Sequence, residues 1–402
     1  MPGPLDGFRI VDLTSMISGP LATMILADQG ADVIKIENPE AGDHTRLSNN
    51  SRNGFSASFL NNNRNKRSVA LDLKNPEAVQ ALLRLTATAD VFVQNFRPGV
   101  ADRMGLGEGA VRAVAPAIVY VSISGFGETG PYAQKPVYDP LIQAVSGLAS
   151  IQAGSDTERP RLVRTIVPDK LTAYNAAQAI TAALLSRTRT GKGQHIRLSM
   201  LDAIVAFLWA SDMGSQTFVG QDIPQQEAAS FIDLIYETAT GPISAAVQSN
   251  REWTALTRAL DKPEWLDDPR FKTPALRQRH IDARLTMTQD ALRTRSAEEW
   301  LERLTREGVP CAPVMTRTQM LTNPQVVANG IIVETEHEQA GTLRQARPAA
   351  RFSGTPATIR HGGPGLGEQT QEVLADLGYS TADIEALQSP RPSSRVSTEH
   401  AA

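Results

Sequence analysis

Few residues in this 402-residue chain have the type and placing to do chemistry. Pro168-Asp169-Lys170 stands immediately before a segment of helical character that opens at Leu171 and runs to Arg187. An aspartate there has two readings. As an N-cap it accepts hydrogen bonds from the first-turn amides and stabilises the helix by about 1 kcal/mol. As a reactive group it is a carboxylate that the helix dipole and orphan amides hold ionised, at or below the reference pKa of about 3.9. Such a carboxylate can attack an activated acyl group. The residue types alone leave both readings open.

Gly125-Phe126-Gly127-Glu128-Thr129-Gly130 matches G-x-G-x-x-G directly after an expected strand. A dinucleotide fingerprint must open a helix whose N-terminus meets the pyrophosphate. Here Pro131 and Pro136 follow without helical periodicity, and the first strand-to-helix turn reads Thr14-Ser15-Met16-Ile17-Ser18-Gly19-Pro20 instead. The expectation is a loop that offers backbone amides to some other ligand. His44, His195, His280, His337, His361 and His400 show no i, i+4 pairing, and Cys311 is the single cysteine, so no metal is expected. Neither G-x-S-x-G nor G-x-x-x-x-G-K-[ST] occurs, which removes the nucleophile-elbow hydrolases and the P-loop enzymes.

The elements that must position these residues alternate. Strand character over Gly7–Val11, Asp32–Glu37, Ser68–Leu73, Val91–Gln94, Ile118–Ser124 and Gln194–Ser199 is interleaved with helical character over Gly19–Gly30, Pro76–Ala89, Gly107–Ala113, the amphipathic stretch from Leu171 and Ser199–Trp209. Repeated crossovers of this kind imply a mostly parallel sheet covered by helices. The expected division is a large α/β domain over 1–210, a linker over 211–230 and a small α+β domain over 231–314. A second linker over 315–329, a return to the large domain over 330–390 and a disordered tail over 391–402 complete it.

Forty Lys plus Arg against 43 Asp plus Glu leave a net charge of −3, so no basic field draws the protein to nucleic acid or to an anionic membrane. A 41% hydrophobic and 21% charged composition supports a packed core. The lone cysteine and a start without a basic stretch followed by an apolar core point to a reducing cytoplasm. No run of about 18 apolar residues is present to span a membrane.

Several strings, taken together, resemble the family III CoA-transferases, which include formyl-CoA transferase, the CaiB/BaiF proteins and α-methylacyl-CoA racemase. They are Thr14–Pro20, Leu26–Glu37, Asn63–Ser68, Leu71–Lys74, Gln94–Gly99, Asp102–Gly105, Ser124–Gly127 with Gly130-Pro131, Gly191–Gln194, and Gly367-Glu368 ahead of Val373-Leu374. The resemblance runs in order from about residue 7 to 379. It implies a Rossmann-like large domain with a smaller α+β domain, two chains interlocked as a homodimer, and CoA thioesters as substrates with no permanently bound cofactor. It aligns the family's nucleophilic aspartate with Asp169. The CoA contacts it implies fall on Ile17 and Ser18, on Leu71, Asp72, Leu73 and Lys74, on Asn95, Phe96 and Arg97, on Arg103, and on Lys135, Pro136, Val137 and Tyr138. A family position that is often Arg is Asn38 here.

The resemblance also frames the reaction. Family racemases carry His-Asp where this chain has Tyr138-Asp139, and a tyrosine of pKa about 10 is a poor base at neutral pH. The expected activity is CoA transfer from a donor acyl-CoA to an acceptor carboxylate through aspartyl anhydride and aspartyl-CoA intermediates. The alternatives are epimerisation and passive CoA binding. The glycine run of formyl-CoA transferase is missing, which turns the reading away from an oxalate-specific enzyme. Amides of Gly125–Gly130 or of Met213–Gly220 are expected to meet developing charge, and the stretches Gln221–Ser230 and Gln248–Arg251 to choose the acid.

Overall fold

Residues 2–220 and 234–388 are described by a computed structural model. Two compact units emerge. The first takes the chain up to Ala153, then Arg159–Val219 and the segment from Ile331 onward, and the second takes Gly154–Glu158 and Gly220–Gly330.

Six strands form the centre of the first unit: β1 (Arg9–Asp12), β2 (Asp32–Glu37), β3 (Lys66–Ala70), β4 (Val91–Gln94), β5 (Val119–Ser124) and β6 (His195–Ser199). Every neighbouring pair is parallel, and the spatial order is β3-β2-β1-β4-β5-β6. A parallel sheet is covered on both faces, so its strands must be apolar nearly throughout. Accordingly Val11, Ile34, Phe92 and Tyr120 feed the core on one face, while Ile10, Val33, Val93 and Val121 feed the core on the other. The helices that matter below are α1 (Ser18–Asp28), α2 (Pro76–Thr86), α3 (Glu108–Val114), α4 (Asp139–Val145), α5 (Val167–Thr190) and α6 (Met200–Trp209). Because β1 and β4 are neighbours whose connections leave in opposite directions, the loops after them diverge and open a crevice at their C-terminal ends.

The returning segment closes the edge of the sheet. Gln369 donates its N–H to Ser68 O at 2.9 Å and accepts the Ser68 N–H at 2.8 Å, and Thr370 Oγ1 accepts the Ala70 N–H at 2.9 Å. Unpaired groups of β3 are thereby satisfied. The helices Thr370–Asp376 and Thr381–Gln388 then bury Val373, Leu374, Ile384 and Leu387 against α2.

Several expectations need correcting. The helix expected from Leu171 begins at Val167, since Pro168 in its first turn needs no hydrogen-bond acceptor. Asp169 is therefore inside the first turn and is not the N-cap, which is Ile166. Nor is α5 amphipathic: it buries Ala173, Ala176, Ala177 and Ile180 yet leaves Tyr174 59% and Leu185 54% exposed on its other side. Part of the expected first linker, Gly214–Thr217, is a short helix of the first unit. The expected second linker carries the helices Arg317–Met320 and Pro324–Ala328, capped by Thr316 and Asn323, within the second unit. The stretch 221–233 and the tail from 389 lie outside the described residues.

The second unit has a three-stranded antiparallel sheet of Cys311–Pro313, Pro242–Ala245 and Ile235–Glu237. Trp253, Trp265, Phe271 and Trp300 fill its core. Gln248 and Ser249 open the helix Asn250–Ala259 through a capping box with Glu252.

Candidate active site

Buried charge holds the loop that leaves β1. Asp12, fully buried, accepts from Thr14 N–H at 2.9 Å, Thr14 Oγ1 at 2.5 Å and Thr23 Oγ1 at 2.6 Å, and pairs with Lys66 Nζ at 3.0 Å. Burial alone would push this carboxyl up; Lys66, Lys35 and the two hydroxyls outweigh it and hold Asp12 well below the usual carboxylate range. Lys35 Nζ donates to Thr14 O at 2.7 Å and pairs with Asp43 at 2.9 Å. From the loop after β4, Asn95 accepts the Ser15 N–H at 3.1 Å and donates to Ser15 O at 2.8 Å. Met16 takes a φ of 70°, in the left-handed region that costs a side chain about 1–3 kcal/mol. At Gly19 an added Cβ would lie 2.3 Å from Thr14 Cβ, so glycine is required for the chain to double back. With its path fixed this way, α1 opens at Ser18 without a side-chain cap from Ile17.

Asp169 supplies what α1 lacks. The Ser18 N–H and hydroxyl face its carboxylate and favour its ionised form, so an orphan amide of α1 is met from another helix. In turn the Asp169 N–H donates to Asp139 Oδ2 at 3.1 Å, so α5 is capped by a carboxylate from 30 residues away. Asp139 is 2% exposed and its other oxygen accepts Gln143 Nε2 at 2.6 Å. Gln143 Oε1 accepts the Val163 N–H at 2.9 Å, tying α4 to the chain that leads into α5. Burial first, and the Asp139 charge second, push the Asp169 carboxyl up; the Ser18 bonds pull it part-way back, and the result is about 6. The expectation that the helix dipole would hold this group at or below its reference value is overturned, because burial and a second carboxylate outweigh the dipole.

A cavity of about 770 Å³ opens beside this loop at the strand ends, within the size range of small-molecule sites. Leu71, Asp72, Leu73, Lys74, Phe96 and Arg103 line it together with Thr14, Ser15 and Asn38. Lys74 and Arg103 are exposed cations there. Asn38 uses its side-chain oxygen to accept the N–H groups of Glu40 and Ala41 at 2.9 and 3.1 Å. Other expected contacts lie elsewhere. Ser18 is at Asp169 and Ile17 precedes it; Asn95 braces Ser15; Arg97 is exposed outside the cavity lining. Lys135 packs over the Tyr132 ring at 3.5 Å, Pro136 is exposed, and Tyr138 is 68% exposed at the N-cap of α4. Val137 is the exception in that stretch, since it packs against Gly125, where a Cβ would come within 2.3 Å of it.

Asp139 and Gln143 escaped the residue-by-residue reading as site members. Their signal was local: Asp139-Pro140 opens a helix and Gln143 follows at i+4 on the same face.

A sequence model of CoA-transferase family III matches residues 5–370. The chain belongs to CoA-transferase family III. It is accordingly a CoA-transferase. Succinyl-CoA:glutarate CoA-transferase from Homo sapiens is 34% identical over 381 residues, which cover 93% of this chain and 86% of the human one. Formyl-CoA:oxalate CoA-transferase from Escherichia coli is 31% identical over 412 residues, covering 96% and 99%. Among solved structures, a CaiB/BaiF family protein from Brucella suis matches with a TM-score of 0.80 and 30% identity, over 94% of this chain and 100% of that one. Rv3272 from Mycobacterium tuberculosis matches with a TM-score of 0.80 and 29% identity, over 92% and 98%. The solved structures share the mixed α/β fold and its parallel central sheet. Among the described residues no helix is long and apolar enough to cross a membrane.

Proposed function

We propose that Asp169 is the nucleophile of a transfer in which CoA passes from a donor acyl-CoA to an acceptor carboxylic acid. The observation that carries this reading is the Asp169 carboxylate itself, half-buried at the opening of α5 and held by two donors of Ser18. Its raised pKa makes it a more basic, hence stronger, nucleophile than a solvated aspartate, while most of it remains ionised at pH 7. In the first step the carboxylate attacks the thioester carbon, the C–S bond breaks, and CoA leaves as a thiolate from a mixed anhydride. The thiolate then attacks the aspartyl carbon, releasing the donor acid and leaving an aspartyl-CoA thioester. The acceptor carboxylate attacks that thioester to form a second anhydride, and the returning thiolate takes the acceptor's acyl group and restores Asp169. Ser18 N–H, placed at the carboxylate, can stabilise the oxyanion that forms on Asp169 itself when the thiolate and then the acceptor attack the aspartyl carbon.

The nucleotide end of CoA is assigned to the cavity, with Phe96 and Leu73 against the apolar part and Lys74 and Arg103 against phosphate. Relatives are named for succinyl-CoA with glutarate and for formyl-CoA with oxalate, so short dicarboxylates are the acceptor class to test first. A homodimer is part of this reading. Support comes from exposed apolar side chains on three mutually contacting helices of the first unit: Leu141 and Val145 on α4, Tyr174 and Leu185 on α5, and Phe207 and Trp209 on α6.

The decisive experiment incubates the protein with succinyl-CoA and hydroxylamine and maps the modified residue by mass spectrometry. A hydroxamate on Asp169, absent from Asp169→Asn, is expected. Turnover of succinyl-CoA with glutarate without any such adduct, or retained by the variant, would remove Asp169 from this role.

A further inference from the structure

Away from Asp169, four side chains form one hydrogen-bonded line across β6, β5 and β4. Glu108 Oε2 lies 2.7 Å from His195 Nδ1, and His195 Nε2 lies 2.8 Å from Ser122 Oγ. Gln94 Nε2 donates to Ser122 Oγ at 3.0 Å, and Gln94 Oε1 accepts the Phe96 N–H at 2.8 Å. Gln94 and Ser122 are each 7% exposed and the His195 side chain 10%, so water does not compete for these groups.

The outer protons of this line follow from its ends. A backbone N–H can only donate, so the Gln94 atom facing Phe96 is the oxygen and the amide nitrogen faces Ser122. The Tyr120 hydroxyl donates to Leu106 O at 3.0 Å. Ser122 Oγ thus accepts from Gln94, and its own proton can turn toward His195 Nε2. At the far end, burial works against the charge of Glu108, but hydrogen bonds from Arg112 and His195 hold its carboxyl below the usual range. An ionised Glu108 has no proton to give, so Nδ1 of His195 carries one. The other charges near Glu108 and His195 are Arg197, 3.6 Å from Glu108, and Glu128, which is 2.8 Å from Arg197; the Tyr120 ring meets the imidazole edge-on at 4.9 Å.

Serine, histidine and acid are the members of a hydrolytic triad, yet this serine is buried and its oxygen is already occupied by an amide donor. The line ends on a backbone N–H, so what it delivers is position. Phe96 forms a wall of the cavity, and the adjacent Asn95 braces Ser15 in the loop that continues to Ser18. We propose that His195, as the neutral tautomer protonated on Nδ1, is a positioning residue that sets the Gln94–Phe96 turn through Ser122 and so fixes the Phe96 wall on which acyl-CoA is bound. The last step rests on the assignment of CoA to the cavity.

Two measurements test it. In protein labelled with 15N-histidine, a long-range 1H–15N correlation at pH 7.5 should show the His195 signal, identified by its loss in His195→Gln, as the Nδ1–H tautomer. A proton on Nε2, in the other tautomer or in an imidazolium, overturns the proposal, and this readout needs no variant to be active. In steady-state kinetics, His195→Leu should raise the KM for succinyl-CoA about tenfold, the loss of roughly one well-buried hydrogen bond, with kcat within about twofold. His195→Gln, whose side-chain oxygen can accept the Ser122 proton, should recover most of it. Ser122→Ala should match His195→Leu, and the double variant should be no worse than either. Phe96→Ala separates the two ideas. If it leaves KM unchanged, the cavity assignment fails; if it raises KM while His195→Leu and Ser122→Ala do not, the positioning role is overturned.

Discussion

Asp12 and Asp169 are both carboxylates taken out of water near the crevice, and they have opposite fates. Asp12 meets Lys66, Lys35 and two hydroxyls, and is held far below its ordinary pKa. Asp169 meets Asp139 and only the two donors of Ser18, and is raised to about 6. Burial pushes both upward, so the company each keeps decides. A fully paired carboxylate fastens a loop, and an incompletely paired one beside a like charge retains basicity for chemistry. The two are joined, since the loop that Asp12 fastens is the one that brings Ser18 to Asp169.

Exchanging the partners should break this contrast. The largest effect is expected for Asp169→Asn, which keeps the shape but loses the nucleophile: succinyl-CoA-dependent transfer should fall on the order of 10⁴-fold or more, read as initial rate with correction for contaminating activity. Next, Lys66→Met strands Asp12 without its nearest cation and should destabilise the protein by about 3–5 kcal/mol in urea unfolding; a loss under about 1 kcal/mol would show that Lys35 alone suffices. The Asp169→Asn variant should also be more stable than the parent. Because the folded pKa is raised from 3.8 to about 6, the folded state binds more protons than the unfolded one between those values. Stability therefore falls as pH rises through that window, and the deficit stays in full above it. The variant's advantage should grow from pH 4 to about pH 6.5 and then level off at about 1–3 kcal/mol; an advantage that shrinks with pH contradicts the assignment. The smallest shift is that of the acid limb of kcat/KM, expected near pH 6 for the parent and lower in Asp139→Asn. An unmoved limb in that variant would mean that Asp139 does not tune the nucleophile.

Much of the sheet could be read in advance, because runs such as Val91–Gln94 and Val119–Ser124 must be apolar on both sides to lie in a parallel sheet. Asp169 stood out for an equally local reason, its place before a long helical segment. What escaped was relational. The cap of α5 comes from Asp139, 30 residues earlier, and the cap of α1 comes from Asp169 itself, so neither helix advertises its cap in its own first turn. The α5 start lies four residues before Leu171, where the helical pattern begins, because Pro168 is accommodated in the first turn without adding to that pattern. His195 looked isolated by the i, i+4 criterion for metal ligands, while its partners arrive from one helix and one neighbouring strand. Spacing along a helix cannot reveal partners that a sheet assembles sideways.

The return of Gln369 and Thr370 to the border of β3 has a consequence for biosynthesis. A ribosome that has released residues up to Gly330 has delivered every part of the second unit, but a first unit whose outermost strand still lacks its partners. The middle of the chain can mature while the flanking unit waits, with a bare strand available to any neighbouring nascent chain. Only when residues 369–388 emerge can that border be sealed.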